Sequence, residues 1–365
     1  EAYSLKSQLN EINQQKMQQL AQAGVNTENI KNVPDDIINQ YVLQLLINKE
    51  ILLSSAKNLG IRVSGSTVNK EFKAYQKQSK LGKDELKPVF DRAMDLGLKL
   101  WDTATVYASG QSETILGEFV KDRNDAIIST KFTPELAEGR GDNAIFEFLD
   151  ESLERLNKKV IDIYWIHNTK DMEKWAPKLV DVLKSGKVKK VGVSNHNLEQ
   201  IKYVNNLLKE AGFQLHAIQN HFSLLYRTIE TTGILDYCKE NNIVVFSYMV
   251  LEQGALSGKY TKENPLPAGT RRGEAFPPET LAKLEPLFYE MKILGGKYSA
   301  TIPEIATAWA IAKGTIPIIG VTKPNQVDDA KRAASVELSD EDVELMDRVA
   351  IGTGVTVKGE WESSM

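Results

Sequence analysis

Asp102 and Tyr107 lie five residues apart in the stretch Trp101-Asp102-Thr103-Ala104-Thr105-Val106-Tyr107, where an apolar run gives way to a loop. Lys131 and His167 end the next two apolar runs. A phenol has a pKa of about 10 in water, so near neutral pH it needs help to give up its proton. An ammonium close by stabilises the phenolate, and a carboxylate holds that ammonium in place and keeps it charged. Asp102, Lys131 and Tyr107 can form such a relay. His167 would then lie beside a substrate carbonyl oxygen, donating a hydrogen bond that stabilises developing negative charge. Such a site suits adding a hydride to carbon and a proton to oxygen.

Each group taken singly has an ordinary explanation. Asp102 can cap a loop, Lys131 can be a solvated strand end, Tyr107 a packed aromatic and His167 a semi-buried histidine. All four arriving in order at matching ends of consecutive strands are harder to explain as packing, because that end of a barrel or doubly wound sheet carries the chemistry.

The elements that must position these groups are legible from residue 81 onward. Apolar strand candidates are Leu98 to Ala104, Ala126 to Phe132, Ile161 to His167, Lys190 to Asn195, Ala217 to Phe222, Ile243 to Tyr248 and Ile316 to Val321. At least one amphipathic helix, such as Ala144 to Leu156 or Glu199 to Lys209, separates each from the next. This alternation predicts right-handed βαβ units and a parallel sheet, one strand short of a (β/α)8 barrel.

The first 80 residues have a different composition. They contain ten Gln and nine Asn but no His, Trp or Cys, and ten basic against seven acidic residues. Leu5, Leu9, Ile12, Met17 and Leu20 recur at helical spacing, and Pro34-Asp35-Asp36 opens a long apolar-rich helix ending at Gly60. Ser64 or Ser66 caps a further short helix to about Tyr75. The domain reading is therefore a helical segment 1–80 and a barrel 81–365.

A net charge of -4 over 365 residues, with no basic block, argues against nucleic-acid binding. No apolar run approaches the ~20 residues of a membrane span, and Glu1 opens the chain without a basic, apolar leader, so a soluble or already processed protein is expected. Cys238 is alone, so no internal disulfide is expected. His216 and His221 fall on opposite faces of one strand and His196 in a separate loop, so no metal site is expected. Arg271 and Arg272 either clamp a phosphate or belong to a solvated loop.

Two resemblances follow from particular words of the sequence. Residues 82–365 resemble an aldo-keto reductase of the branch that includes the potassium-channel β-subunits, on WDTATVYASGQSETILGEF, STKF, DIYWIHN, VGVSN, IQNHFSLLYR, YMVLEQGALSGKY and IIGVTKPNQVDDA. The resemblance implies an α/β fold, a TIM barrel of that type lacking its first strand, because Lys83 opens a helix directly where the family has a hairpin and a first strand. It implies reversible, NADPH-dependent reduction of an aldehyde or ketone, with Asp102, Tyr107, Lys131 and His167 as the catalytic tetrad. Cofactor positions carried over are Ser194, Asn195 and Gln219 at the nicotinamide carboxamide and Tyr248 stacked on its ring. Leu251, Gln253, Gly254, Ser257 and Lys259 match the loop over the pyrophosphate. Gly320, Thr322, Lys323, Gln326 and Asp329 match the adenosine pocket, where Thr322 and Lys323 at a helix start favour NADPH. Ala330 replaces the asparagine usual near the adenine.

The second resemblance, on PDDIINQYVLQLLINKEILLSSAKNLGIRVSGSTVNKEF, is to the helical region of SurA-type periplasmic chaperones. It implies a protein partner through residues 1–80. A nonenzymatic nucleotide-sensing or chaperone-like binder, or a chimera with an impaired barrel, is the alternative to the reductase. The longer match implies the cytoplasm, the shorter one the periplasm. A homo-oligomer is also open, and the partner of the site itself is a small carbonyl substrate.

Overall fold

A computed structural model describes residues 82–357. Residues 1–80, for which helices and a chaperone-like segment were expected, lie outside the described residues. All described residues but Gly82 fall within one unit, Lys83–Met365.

Seven parallel strands follow one another in sequence order: β1 (Leu100–Asp102), β2 (Ile127–Phe132), β3 (Ile161–Ile166), β4 (Val188–Ser194), β5 (Ala217–His221), β6 (Val244–Tyr248) and β7 (Ile316–Pro317). Each strand pairs only with its sequence neighbours, so among the described residues β1 and β7 are edges and the sheet does not close. The fold is thus a curled barrel-like sheet of the expected kind with one strand lacking.

Helices cover the outer face. Those used below are α1 (Lys83–Asp95), α2 (Gln111–Val120), α3 (Ala144–Arg155), α4 (Leu198–Glu210), α5 (Ile302–Ala312), α6 (Pro324–Ala333) and α7 (Asp340–Gly352). Asn197 caps α4 by accepting from the Gln200 amide, while the Gln200 side chain accepts from Asn197 N–H, a reciprocal capping box. Helix α1 buries Val89, Phe90, Ala93 and Met94, one stripe at helical spacing.

Alternation along the strands sorts side chains between two apolar regions. The outward set joins the helices in one large core. The inward set is smaller, with Ile163, Trp165, Ala217 and Phe246 filling the interior and Leu100 and Ile318 beside them. Trp165 meets Phe246 edge-on at 5.5 Å. The Trp165 ring fits because position 192 on the adjacent strand is glycine: a Cβ there would lie 2.3 Å from the ring.

Two strands are shorter than expected. β1 begins after Gly97, which is left-handed (φ 78°), with Leu98 N–H bonding back to Ala93 O at 2.9 Å. β7 spans two residues because Pro317 has no N–H and sits at an edge, although Ile318 N–H still reaches Ser247 O at 2.8 Å.

The sheet gap does not extend to the helical layer. Val89 and Ala93 of α1 pack against Val327 of α6, with Leu96, Leu98, Trp101 and Val321 around them. Arg92 Nε donates to Asp328 Oδ1 at 2.7 Å beside this seam. The first and last segments of the barrel therefore meet through helices where strands would otherwise pair.

Candidate active site

Asp102 ends β1, Lys131 lies near the end of β2 and His167 follows β3, so the parallel order brings all three to one end of the sheet. Register places Asp102 opposite Ser129 and Lys131 opposite Trp165. Lys131 is fully buried, and its Nζ lies 2.5 Å from Asp102 Oδ2 and 2.9 Å from Thr103 O. Burial alone would push this lysine's pKa down. The Asp102 carboxylate and the Tyr107 phenol outweigh it and hold the pKa above the usual lysine range. The other Asp102 oxygen accepts from Ser129 Oγ at 2.7 Å and from Gln219 Nε2 at 3.1 Å.

Tyr107 follows β1 by five residues and leaves its ring 40% exposed, with Lys131 Nζ 5.0 Å from the ring centroid. His167 meets the same ring edge-on, at 5.7 Å between centroids and 76°. Burial first, and the Lys131 charge second, push the His167 pKa down to about 3, so the imidazole is neutral at physiological pH. Its Nδ1 lies 3.0 Å from Thr133 Oγ1.

A second polar chain leads from this cluster. Tyr248 O–H donates to Asn195 Oδ1 at 2.6 Å, and Asn195 Nδ2 donates to His167 O at 2.9 Å and Ser194 Oγ at 3.2 Å. Ser194 Oγ donates to Gln219 O at 2.6 Å, and the Gln219 side chain closes the chain on Asp102. All four residues expected at a nicotinamide thus form one network with the tetrad candidates.

The remaining expected positions border a cavity of about 720 Å³. Leu251, Gln253, Gly254, Ser257, Lys259, Gly320, Gln326 and Asp329 line it. Thr322 and Lys323 do not. The Thr322 and Lys323 amides donate to Gln326 Oε1 at 2.7 and 3.1 Å, and the Thr322 hydroxyl lies 3.3 Å from the same oxygen. These donors serve the start of α6 rather than facing the cavity. Arg272, one of the two arginines left between clamp and loop, lines the wall and donates to Gln253 O at 3.3 Å. Tyr260, Glu304, Thr307 and Asn325 also line it and were not singled out from sequence; they sit in segments whose helical or loop pattern carries no ligand signal. Glu304 and Asp329 bring carboxylates, but both pair with Arg332, Glu304 at 2.7 Å.

The backbone at this end is unusual. Ala108, Ser109 and Gly110 are left-handed in succession (φ 47°, 53° and 86°), as are Glu252, Gln253 and Gly254 (φ 45°, 55° and 98°) and, singly, Asn195 and Met249. A non-glycine residue in this region costs about 1–2 kcal/mol, so several are sustained here by surrounding contacts.

The other histidines and the cysteine have separate surroundings. His221 stacks between Tyr226 and Tyr248 and lies 2.7 Å from Glu252 Oε1. His196 is buried, its pKa pushed down to about 4, with Nδ1 2.8 Å from Ser194 O. Among the described residues no group of His, Cys, Asp and Glu could hold a metal ion. Burial pushes the Cys238 thiol up to about 12, so it is inert. No helix among the described residues is long and apolar enough to cross a membrane.

Comparison with known proteins adds four findings. The model of the Aldo/keto reductase family matches residues 72–351, beginning inside the segment assigned by composition to a separate helical part. A chloroplastic pyridoxal reductase of Arabidopsis thaliana is 33% identical over 284 residues, 72% of this chain and 76% of that protein. An NADH-specific methylglyoxal reductase of Escherichia coli is 31% identical over 280 residues, 70% of this chain and 84% of that one. Among solved structures, a glycerol dehydrogenase from Gluconobacter oxydans is similar at a TM-score of 0.66 and 28% identity, covering 73% of this chain and 85% of that chain.

Proposed function

The chain belongs to the aldo/keto reductase family, oxidoreductases acting on carbonyls and alcohols, and from that premise we propose that it reduces an aldehyde or ketone with NADPH, Tyr107 being the general acid. The observation that carries this reading is the buried Lys131 ammonium, held between the Asp102 carboxylate and the Tyr107 ring.

The residues present fit a dinucleotide. The Ser194, Asn195, Gln219 and Tyr248 network adjoins the tetrad candidates, and the 720 Å³ cavity supplies length beyond it. Lys259 and Arg272 line that cavity, while the two carboxylates in its wall share the single guanidinium of Arg332. Lys259, Arg272 and Arg332 outnumber Glu304 and Asp329 by one charge, and that positive balance favours the extra phosphate of NADPH over NADH. Bound there, the nicotinamide supplies the hydride.

The chain's own groups do the rest. Neutral His167 holds the carbonyl oxygen: in the tautomer whose Nδ1 accepts from Thr133 Oγ1, 3.0 Å away, Nε2 carries the proton donated to that oxygen. Tyr107 O–H passes its proton to the same oxygen. Lys131 stabilises the phenolate left behind, and Asp102 keeps Lys131 charged and fixed. Because Tyr107 is 40% exposed, water can return the proton. A protein that only sensed a nucleotide would have no need of this buried relay.

The test is direct. Purified protein should quench or shift NADPH fluorescence on binding and oxidise it when an aldehyde is added. Aromatic aldehydes head the panel, since the Arabidopsis relative is named for pyridoxal. No fluorescence response and no aldehyde-dependent oxidation would sink the proposal.

A further inference from the structure

Glu113 has no part in the relay, yet it is completely buried, three residues beyond the turn Tyr107–Gly110. Its two oxygens join three elements. Oε1 accepts from Thr130 Oγ1 at 2.5 Å, and Oε2 accepts from Arg155 Nε at 2.7 Å. Thr130 directly precedes Lys131 on β2, so by alternation it faces the helices while Lys131 faces the interior. Glu113 therefore ties the helix that follows Tyr107 to the backbone that carries Lys131.

Arg155, at the end of α3, completes the clamp from the other side. A Cβ at left-handed Gly110 would lie 3.0 Å from Arg155 Cδ and 3.1 Å from its Nε, so the guanidinium arm lies against the turn. Ser152, one turn earlier on α3, meets Thr105 Oγ1 at 3.2 Å, two residues before Tyr107. The turn itself holds Ala108 and Ser109 in left-handed conformations, which the chain would leave without outside support. Its exit is gripped through Glu113 and Gly110, and its entry through Thr105.

We infer that Glu113, paired with Arg155, is a positioning residue that sets Tyr107 against Lys131. It touches neither substrate nor cofactor; it fixes the distance between the phenol and the ammonium by joining the two segments that carry them. This rests on the reading of Tyr107 as the proton donor.

The experiment compares wild type with Glu113→Gln and Thr130→Val, using NADPH and benzaldehyde, at a temperature where circular dichroism shows each protein folded. Glu113→Gln breaks the charge pair and leaves Arg155 with Glu151 as its carboxylate partner, so Thr130→Val provides a milder cut of the same tie. Expected are a roughly 10- to 100-fold fall in kcat for Glu113→Gln, a smaller fall for Thr130→Val, and NADPH Kd within about twofold of wild type. The isotope effect with deuterated NADPH should rise as the chemical step slows. Folded variants with wild-type kcat, or a kcat loss matched by equally weakened NADPH binding, would overturn the inference. A wild type that binds no NADPH and turns over no aldehyde would instead overturn the proposed function, and this inference with it.

Discussion

At the scale of single residues, the proposed proton delivery depends on the Tyr107 phenol and on His167, whose protonation is set by burial and the Lys131 charge. Tyr107→Phe removes the phenol while leaving the Ser194, Asn195, Gln219 and Tyr248 network untouched. Turnover should fall by at least about 10²-fold, the usual range for a lost general acid, with NADPH binding nearly unchanged; retained turnover would remove Tyr107 from that role. His167 makes a prediction about pH. Its folded pKa of about 3 lies below the ordinary value of 6.5, so the unfolded chain takes up the proton first as pH falls. The stability linked to neutral His167 is full above pH 6.5 and is lost progressively between 6.5 and about 3, and His196 acts in the same direction. Between pH 7 and 5 this amounts to about 2 kcal/mol from His167. Thermal melts of wild type and His167→Gln across that range should diverge, with wild type losing more as the solution is acidified. Equal slopes would mean that His167 is not buried neutral.

At the scale of elements, parallel strands of matched register deliver Asp102, Lys131 and His167 to one end, and the interior behind them must be solid to keep them there. Trp165 supplies much of that filling and donates its Nε1–H to Ser129 Oγ, which in turn donates to Asp102. The arrangement depends on Gly192. Gly192→Ala would push a methyl group to 2.3 Å from the Trp165 ring, and overpacking of this kind costs typically about 1–3 kcal/mol. A chemical-denaturation curve should show that loss, accompanied by reduced turnover because Ser129 and Asp102 shift with Trp165. An unchanged midpoint would show that β3 and β4 separate without cost.

At the scale of the whole barrel, the sheet left open among the described residues is the feature to explain, since unpaired edges are a liability. Short edges of three and two residues limit that exposure, and α1 and α6 pack together across the gap. Val327 is 2% exposed in that seam, so Val327→Ala should cost roughly 1–3 kcal/mol. Ile316, at the start of β7, is 47% exposed, and Ile316→Ser should stay within about 0.5 kcal/mol. Urea titrations of the two variants check the contrast. A large loss at Ile316 would mean that some other segment covers the edge.

Strand order, helix alternation and the four relay candidates were legible in the sequence because they depend on local periodicity and on residue type at strand ends. All seven expected strands are present, and Ser194, Gln219 and Tyr248, carried over from the family resemblance, lie on β4, β5 and β6. What depends on distance between remote segments was not legible. Thr322 and Lys323 start a helix as expected, yet Gln326 takes their amides and they stand outside the cavity wall. Arg272 enters that wall, and Glu113 joins Thr130 to Arg155. The closure of the helical layer over an open sheet likewise requires α1 and α6, more than 200 residues apart, to meet. Residue type and spacing by themselves determined which chemistry the four strand-end residues could support; tertiary packing alone decided which side chains face the cavity and what holds Tyr107, because those contacts form between segments that no local pattern relates.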